Sequence, residues 1–205
     1  MKVIKPYVII ESKLNNLNIL KLIERAGRTA YKSENEINND SYKSFIKKII
    51  KNGHESVLEH QSISVRVICD RGVSHEIVRH RIASYTQEST RYCNYSNKKF
   101  RNEITFIKPC FWNCDSKEYN LWKDVMSNIE KKYMQLMEMG SHPQEARSIL
   151  PNSLKTEIFI TMNLREWRHF FKLRTSLKAH PQMQQIANMI LSLFKKKIQI
   201  IFDDL

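Results

Sequence analysis

The sequence predicts a single α+β domain with a mostly antiparallel or mixed sheet and long flanking helices. Three observations support this class. Segments with helical periodicity are interleaved with shorter β-branched or alternating segments. No linker, internal repeat or low-complexity stretch divides the 205 residues, a length that one domain accommodates. Hydrophobic residues make up 41% of the chain and aromatic residues 10%, which is enough for a core and too much for a disordered chain.

The N-terminal half contains two predicted strands and three predicted helices. In order, these are a strand over 3–10, helices over 16–31 and 42–51, a strand over 62–69, and a helix that begins at Gly72 or Ser74 and reaches Arg79–Arg81. β-branched residues or strict alternation predict the strands, and apolar residues at helical spacing predict the helices. Asn52 and Gly53 are turn residues that end the second helix.

The C-terminal half is predicted to be mainly helical. In order, its elements are a short strand over 104–107, helices over 117–139 and 142–150, a strand over 156–162, and helices over 164–173 and 181–201. Pro109 and Pro151 stop the elements before them, because proline lacks the backbone donor that would continue them. The last helix is amphipathic and closes the chain.

The chain has a formal net charge of +13 and a sequence pI near 9.6, which calls for an explanation. Lysine runs such as Lys195–Lys197 are typical of solvated surface. The arginines instead gather at particular places, as expected for residues that bind an anionic small molecule. A basic nucleic-acid-binding module is the alternative.

Several features point to a cytoplasmic protein without a metal. No run of 18 apolar residues is present, and no secretory stretch follows Met1. The four cysteines have no framework spacing and are expected to be free thiols in a reducing compartment. His54 and His60 are six residues apart rather than four, and Cys110 and Cys114 lack a second pair, so neither set predicts a metal site.

Glycine scarcity restricts how a cofactor can be held. The chain has only four glycines, each isolated, so it contains neither a Gly-x-Gly-x-x-Gly turn nor a glycine-rich phosphate loop. Any dinucleotide must therefore be bound by side chains and helix ends.

The stretch Arg79–Tyr92 concentrates the groups that a nucleotide pocket needs. It holds three guanidiniums, an imidazole, four Ser or Thr hydroxyls, an amide and a carboxylate. Guanidiniums bind phosphates bidentately, and the other groups can contact a base or a ribose. If the third helix continues to Arg81, His75 with Arg79 and Glu76 with His80 are neighbours at i,i+4. The adjacent positive groups of Arg79–Arg81 predict a bound anion.

Two later segments carry similar groups. Asn163 stands where a strand gives way to a helix, and Arg165 with His169 forms a basic face on that helix. Arg147 lies in a short helix closed by proline. The alternative is structural: Asn163 is only a helix cap, and the arginines are solvated.

The spacing of Arg79, His80 and Arg81, seven residues, Ser89 and then Arg91 resembles the motif of the flavin-dependent thymidylate synthases, which make dTMP from dUMP. Four other stretches resemble the family in the same order along the chain: Asn52–Ser56 with Glu59 and His60, Ser74–Glu76, Glu145–Arg147 with Leu150 and Pro151, and Asn163 with Arg165, His169 and Arg174. The resemblance extends over roughly residues 25–190, nearly the whole chain.

The resemblance implies a reductive methylation of dUMP. In the family, NADPH reduces bound FAD, methylenetetrahydrofolate supplies the one-carbon unit, and no protein nucleophile is used. Family members are homotetramers that share flavin sites between subunits. We therefore expect FAD, dUMP and further copies of the chain in a homotetramer as partners, and neither nucleic acid nor a membrane.

The resemblance also assigns residues. It implies Arg174 as the catalytic group. The substrate-binding residues would be Glu76, Arg79, Gln87, Glu88, Ser89, Thr90, Arg91, Arg147 and Arg174. The flavin-binding residues would be Ser56, Arg79, His80, Arg81, Gln87, Asn163, Arg165 and His169.

The chain departs from the family at three positions. Thr86 and Gln87 stand where many members carry Asn and Glu, and Thr90 replaces a frequent Gly, so the hydrogen-bonding partner of Gln87 is open. Two rivals remain, a nucleic-acid-binding module and a non-catalytic flavoprotein. Pro109 and Cys110 resemble the nucleophile of the unrelated cysteine-dependent thymidylate synthases, but no arginine cluster adjoins them in sequence.

Overall fold

The computed structural model describes all 205 residues and confirms the α+β class. Its strands are β1 (Lys2–Ile4), β2 (Tyr7–Ile10), β3 (Ser62–Asp70), β4 (Ser84–Gln87), β5 (Thr105–Ile107) and β6 (Lys155–Asn163). Its helices are α1 (Asn16–Thr29), α2 (Ser41–Lys51), α3 (Arg71–Ile77), α4 (Lys117–Glu138), α5 (Pro143–Ala146), α6 (Leu164–Arg174) and α7 (Pro181–Phe202). Short 3-10 turns cover Glu34–Glu36, Glu55–His60, Lys98–Phe100 and Arg147–Ile149.

The strands form two sheets. An antiparallel sheet has the order β2-β3-β6-β4, and β1 pairs in parallel with β5, with Lys2 opposite Thr105. The prediction of one strand over 3–10 is wrong in one respect: Lys5 and Pro6 divide this segment into β1 and β2, which belong to different sheets. Proline has no N–H for a strand ladder, which explains the break.

The chain divides into two compact units. The first unit contains Met1–Tyr7, Val67–Arg79 and Thr86–Phe159, and the second contains Val8–Arg66, His80–Tyr85 and Ile160–Leu205. The candidate site residues are distributed between these two units.

The core of the first unit lies along α4. Its buried residues include Tyr119, Trp122, Met126 and Tyr133, spaced so that they share one face of the helix. Ser116 caps the helix by accepting from the N–H of Tyr119 at 3.1 Å. The Trp122 indole N–H has a partner in the Ser153 hydroxyl at 3.0 Å, so burial of the ring leaves no donor unsatisfied.

The core of the second unit is aromatic. Trp167, Phe170 and Phe171 on α6 pack with Phe194 and Phe202 on α7, with ring centroids between 5.2 and 5.7 Å apart. Such edge-to-face and stacked contacts add to the free energy gained from burying the rings.

Arg168 is 1% exposed and attaches α6 to the C-terminus. Its guanidinium donates to both Asp204 carboxylate oxygens, at 2.7 and 2.6 Å, and to Glu55 Oε1 at 3.0 Å. It also donates to the Ile201 carbonyl. This buried charge is fully paired, as burial requires. The arrangement fixes the helix that carries part of the candidate site.

The prediction that the third helix reaches Arg79–Arg81 is wrong. α3 ends at Ile77, and the N–H groups of Val78 and Arg79 close it with bonds to Ser74 and Glu76 carbonyls. The i,i+4 pairs expected for His75 with Arg79 and for Glu76 with His80 therefore do not form through a helix. His80 instead hydrogen bonds to Glu166, and residues 84–87 form β4, which the sequence did not predict.

No helix in the protein combines the length and the apolar character needed to cross a lipid bilayer.

Candidate active site

A hydrogen-bonded chain of three side chains lies in the second unit. The Nε–H of Arg174 donates to Nε2 of His80 at 3.1 Å, and Nδ1 of His80 lies 3.1 Å from Glu166 Oε1. His80 is 5% exposed and Glu166 is 7% exposed. The ring of Phe170 lies 4.9 Å from that of His80, and the Tyr85 hydroxyl donates to the His80 carbonyl at 2.5 Å.

The environment of His80 favours the neutral imidazole. Burial lowers its pKa below the usual range, and the charge of Arg174 lowers it further, whereas the hydrogen bond and charge of Glu166 oppose this shift. His80 is therefore uncharged near neutral pH. A positive charge on His80 directly beside the Arg174 guanidinium is avoided in this way.

α6 places several predicted residues around one cavity. Asn163 caps the helix by accepting from the Glu166 N–H at 2.8 Å, which confirms the cap and orients the first turn. The cavity is about 500 Å³, and its lining residues are Glu55, Glu59, Ile82, Asn163, Arg165, Glu166, His169 and Lys172. Asn163, Arg165 and His169 thus line one cavity, and their predicted role in binding a flavin stays a prediction.

Ser56 and Arg81 belong to the same unit but do not line that cavity. Ser56 is exposed in the 3-10 turn Glu55–His60, which packs against α6, and Arg81 is exposed. Arg165 pairs with Glu59 at 2.6 Å while remaining half exposed, and an ion pair of this kind stabilises little by itself.

The side chains of His80, Glu166 and His169 approach one another closely enough to suggest a metal site, since their ligand atoms lie within 4.8 Å. Both ring nitrogens of His80 already have hydrogen-bond partners, however, and the Arg174 cation adjoins one of them. A metal would have to displace that cation. The hydrogen-bonded chain accounts for the cluster, and the absence of a metal stays a prediction.

Gln87 lies at the centre of a second network, in the first unit. Its Nε2 donates to the Ser74 hydroxyl at 2.9 Å and to the Thr156 hydroxyl at 3.1 Å. Ser74 and Thr156 are buried. The network answers the question that the sequence left open, because these two hydroxyls are the partners of the amide nitrogen.

Glu88, next along the chain, has structural partners. Its carboxylate accepts from Lys155 at 2.7 Å and from the Tyr95 hydroxyl at 3.3 Å, and its N–H donates to the Glu157 carbonyl at 2.8 Å. A contact with substrate would compete with these bonds. The substrate-binding role predicted for Glu88 stays a prediction.

The residues after Glu88 form a tight turn. The N–H groups of Tyr92 and Cys93 donate to the Ser89 carbonyl, and the Arg91 N–H donates to the Ser89 hydroxyl at 3.3 Å. Thr90 is buried, so a side chain larger than glycine is accommodated there. The guanidinium of Arg91 is exposed and lies 5.4 Å from the centre of the Tyr92 ring.

The remaining predicted substrate residues of the first unit are at helix ends. Glu76 lies in α3, Arg79 is two residues beyond its end, and Arg147 begins the 3-10 turn after α5. Arg79 and Arg147 are exposed, so their guanidiniums are accessible to an anion. The first unit thus contains the predicted dUMP residues except Arg174, which belongs to the second unit.

Sequence reasoning missed Glu166 and Thr156. Glu166 is the third residue after the Asn163 cap, where acidic residues are common for local reasons, so no sequence signal separates a site role from a helix preference. Thr156 is a buried hydroxyl on an alternating strand, and its inward position was the only available signal.

Comparison with known proteins gives consistent matches. The family described as thymidylate synthase complementing protein matches residues 14–198. The chain is 37% identical over 166 residues to a flavin-dependent thymidylate synthase of Pyrococcus abyssi, covering 80% of this chain and 67% of that relative. It is 36% identical to the protein of that name from Pyrococcus furiosus, covering 91% and 76%. A third such relative, from Geobacter sulfurreducens, is 36% identical over 78% and 68%.

Proposed function

Because the chain belongs to the thymidylate synthase complementing protein family, we propose that it converts dUMP to dTMP with a bound flavin, as the shared name of its relatives describes. It is an enzyme of the flavin-dependent thymidylate synthase type. FAD as the flavin, NADPH as the reductant and methylenetetrahydrofolate as the one-carbon donor are the finer parts of this proposal. All 205 residues would act as one catalytic domain.

The residues around the α6 cavity fit a flavin dinucleotide. Arg165, Lys172 and His169 offer donors for a pyrophosphate, and the carboxylates of Glu55 and Glu59 can accept from ribose hydroxyls. No glycine-rich loop is available, so a cofactor must be held by side chains of this kind. When bound, the flavin supplies the redox chemistry that side chains cannot perform.

The flavin-binding residues would also include neighbours outside the lining of the cavity. Ser56 precedes the lining residue Glu59 in the same turn, and Arg81 follows His80 with an accessible guanidinium. Arg79 and Gln87 were assigned to both ligands, and they complete the proposed set with Asn163, Arg165 and His169. The role of these residues is to bind and orient the cofactor.

The dUMP site would be formed by the exposed guanidiniums and the Ser89–Arg91 turn. Arg79, Arg91 and Arg147 can bind the phosphate bidentately. Gln87 presents its carbonyl oxygen as an acceptor for an N–H group, such as the one on a pyrimidine ring. Ser89 has no base within its network that would activate it, so its role would be binding.

Arg174 would be the catalytic residue. Its guanidinium is held at Nε by the acceptor nitrogen of His80. A fixed positive group beside the uracil ring would stabilise the negative charge that develops there during transfer. The restraint by His80 is the observation that best supports this assignment, because a charge that is already oriented needs no reorganisation.

The test measures three properties of the purified protein. A flavin absorbance band, loss of that band on addition of NADPH, and formation of dTMP from dUMP and methylenetetrahydrofolate are expected together. A protein that stays colourless after reconstitution with FAD would contradict the cofactor assignment. A yellow protein that forms no dTMP would instead support a non-catalytic flavoprotein.

A homotetramer with shared sites is a further part of the proposal, together with a cytoplasmic location. The free state of all four cysteines is compatible with a reducing compartment. Sedimentation of the FAD-bound protein tests the oligomer, and a monomer with full activity would contradict shared sites.

A further inference from the structure

Glu166 is a buried carboxylate without an assigned role. It lies on α6, three residues beyond the Asn163 cap, and its Oε1 contacts Nδ1 of His80 at 3.1 Å. The opposite nitrogen of His80 contacts Arg174. The carboxylate therefore reaches the proposed catalytic guanidinium through one imidazole ring.

The position of the proton on His80 follows from its neighbours. An arginine guanidinium has donors and no acceptor, so Arg174 must donate to Nε2 of His80. Nε2 then carries a lone pair, and the proton of the neutral ring resides on Nδ1. That N–H faces Glu166 Oε1, which can only accept when ionised.

We propose that Glu166 is a positioning residue that holds His80 in the Nδ1–H tautomer, so that Nε2 accepts from Arg174 and directs its guanidinium toward the reacting pyrimidine. This inference rests on the proposed function, since it concerns the catalytic role of Arg174. The principle is the one by which a carboxylate orients a histidine in other sites, where the wrong tautomer abolishes the interaction on the far side of the ring.

A purely structural role for Glu166 is the competing explanation. An acidic residue in the first turn of a helix stabilises that helix through the helix dipole. That role would change thermal stability and leave the tautomer of His80 and the turnover number unaffected. The tautomer of His80 and kcat therefore respond only to the positioning role.

The first experiment is ¹⁵N NMR of the FAD-bound enzyme labelled at histidine, with the His80 signals assigned by their loss in His80→Gln. We expect Nδ1 to be protonated and Nε2 unprotonated at neutral pH. A His80 ring protonated at Nε2 would overturn the proposal. This experiment needs no turnover, so it distinguishes failure of this inference from failure of the proposed function.

The second experiment is Glu166→Gln, which preserves size. A carboxylate can only accept from Nδ1–H, whereas an amide can also donate to Nδ1, so the variant no longer excludes the Nε2–H tautomer, in which the ring faces a donor of Arg174. We expect kcat to fall by about 10- to 100-fold, the usual effect of removing such an orienting partner, with flavin content retained. The matched control is Glu11→Gln, which breaks the Arg66 ion pair in the same unit and should keep wild-type kcat.

The third experiment combines Glu166→Gln with Arg174→Ala. If Glu166 acts through Arg174, the second substitution should remove almost all of the effect of the first on kcat. Additive losses, or a Glu166→Gln enzyme with wild-type kcat, would overturn the proposal. If Glu166→Gln fails to fold, Glu166→Asp replaces it, since a carboxylate one methylene shorter should lose part of the kcat.

Discussion

The amide nitrogen of Gln87 lies 2.9 Å from the hydroxyl oxygen of Ser74, and that oxygen is unable to donate in return. Ser74 Oγ lies 2.8 Å from the Arg71 carbonyl oxygen, and only the serine has a proton to place between the two. Ser74 must therefore accept from Gln87. The orientation of the amide is determined, and its carbonyl oxygen is the acceptor that the proposed dUMP site would use.

Gln87→Glu should weaken dUMP binding in a pH-dependent way. The new carboxylate would face Ser74 Oγ, whose proton is already donated to the Arg71 carbonyl. This contact raises the pKa of the new acid and costs about 1–3 kcal/mol of binding free energy while the acid is ionised. The KM for dUMP should rise about tenfold or more near neutral pH and recover as pH falls, because the protonated acid donates to Ser74 as the amide does.

The measurement is the ratio of variant to wild-type KM across pH. Gln87→Leu is the control, since it has no proton to gain and its ratio should not recover at low pH. A Gln87→Glu ratio near one at all pH values would contradict the network.

Arg174→Ala should lose turnover while keeping its flavin. Removing an oriented charge donor from a site that excludes water typically lowers the rate by roughly 10² to 10³. Single-turnover formation of dTMP by the reduced enzyme measures this step directly. Near-normal product formation would remove Arg174 from the catalytic role.

Arg91→Lys should weaken dUMP binding although the charge is kept. An ammonium group is a point charge and cannot form the bidentate pair that a guanidinium forms with phosphate. Arg91 is exposed, so the substitution should leave folding unchanged. The dissociation constant of dUMP, measured by titration of the flavin absorbance, should increase, and an unchanged constant would mean that Arg91 is simply solvated.

Cys110→Ala should leave flavin binding, assembly and dTMP formation intact. Burial raises the pKa of the Cys110 thiol, so little thiolate is available at neutral pH to act as a nucleophile. Alkylation should accordingly inactivate the enzyme slowly or not at all. Complete loss of single-turnover product in Cys110→Ala, with flavin still bound, would indicate the cysteine-dependent mechanism instead.

His80 should make stability decrease at acidic pH. Its folded pKa lies below the unfolded value of about 6.5, chiefly because of burial, with Arg174 and His169 adding to the effect and Glu166 opposing it. The unfolded chain therefore binds the proton first. The stabilisation is complete above the unfolded pKa and is lost as pH falls from there through the folded pKa.

Denaturant unfolding at several pH values, compared with His80→Gln, isolates this contribution. The stability of the wild type relative to the variant should decrease as pH falls below about 6.5. A difference that stays constant or grows would contradict the neutral state of His80.

Local sequence patterns determined most of the helices and the two long strands. α1, α2, α4, α6 and α7 lie within a few residues of the predicted ranges, since apolar spacing, caps and prolines act over one or two turns. The motif residues around Arg79–Arg91 and Asn163–Arg174 were likewise identifiable as candidates, because their side-chain chemistry suits nucleotides whatever the fold.

The tertiary structure alone decided where α3 ends, that β4 exists, and which groups contact one another. His80 hydrogen bonds to Glu166, 86 positions later in the chain, and to Arg174, 94 positions later. Thr156 is 69 positions from its partner Gln87. Hydrogen bonds of this span depend on how the elements pack, and local propensity is weak enough for packing to override it. The sequence by itself determined which side chains could form the site, and the folded chain decided the tautomer of His80 and the orientation of the Gln87 amide.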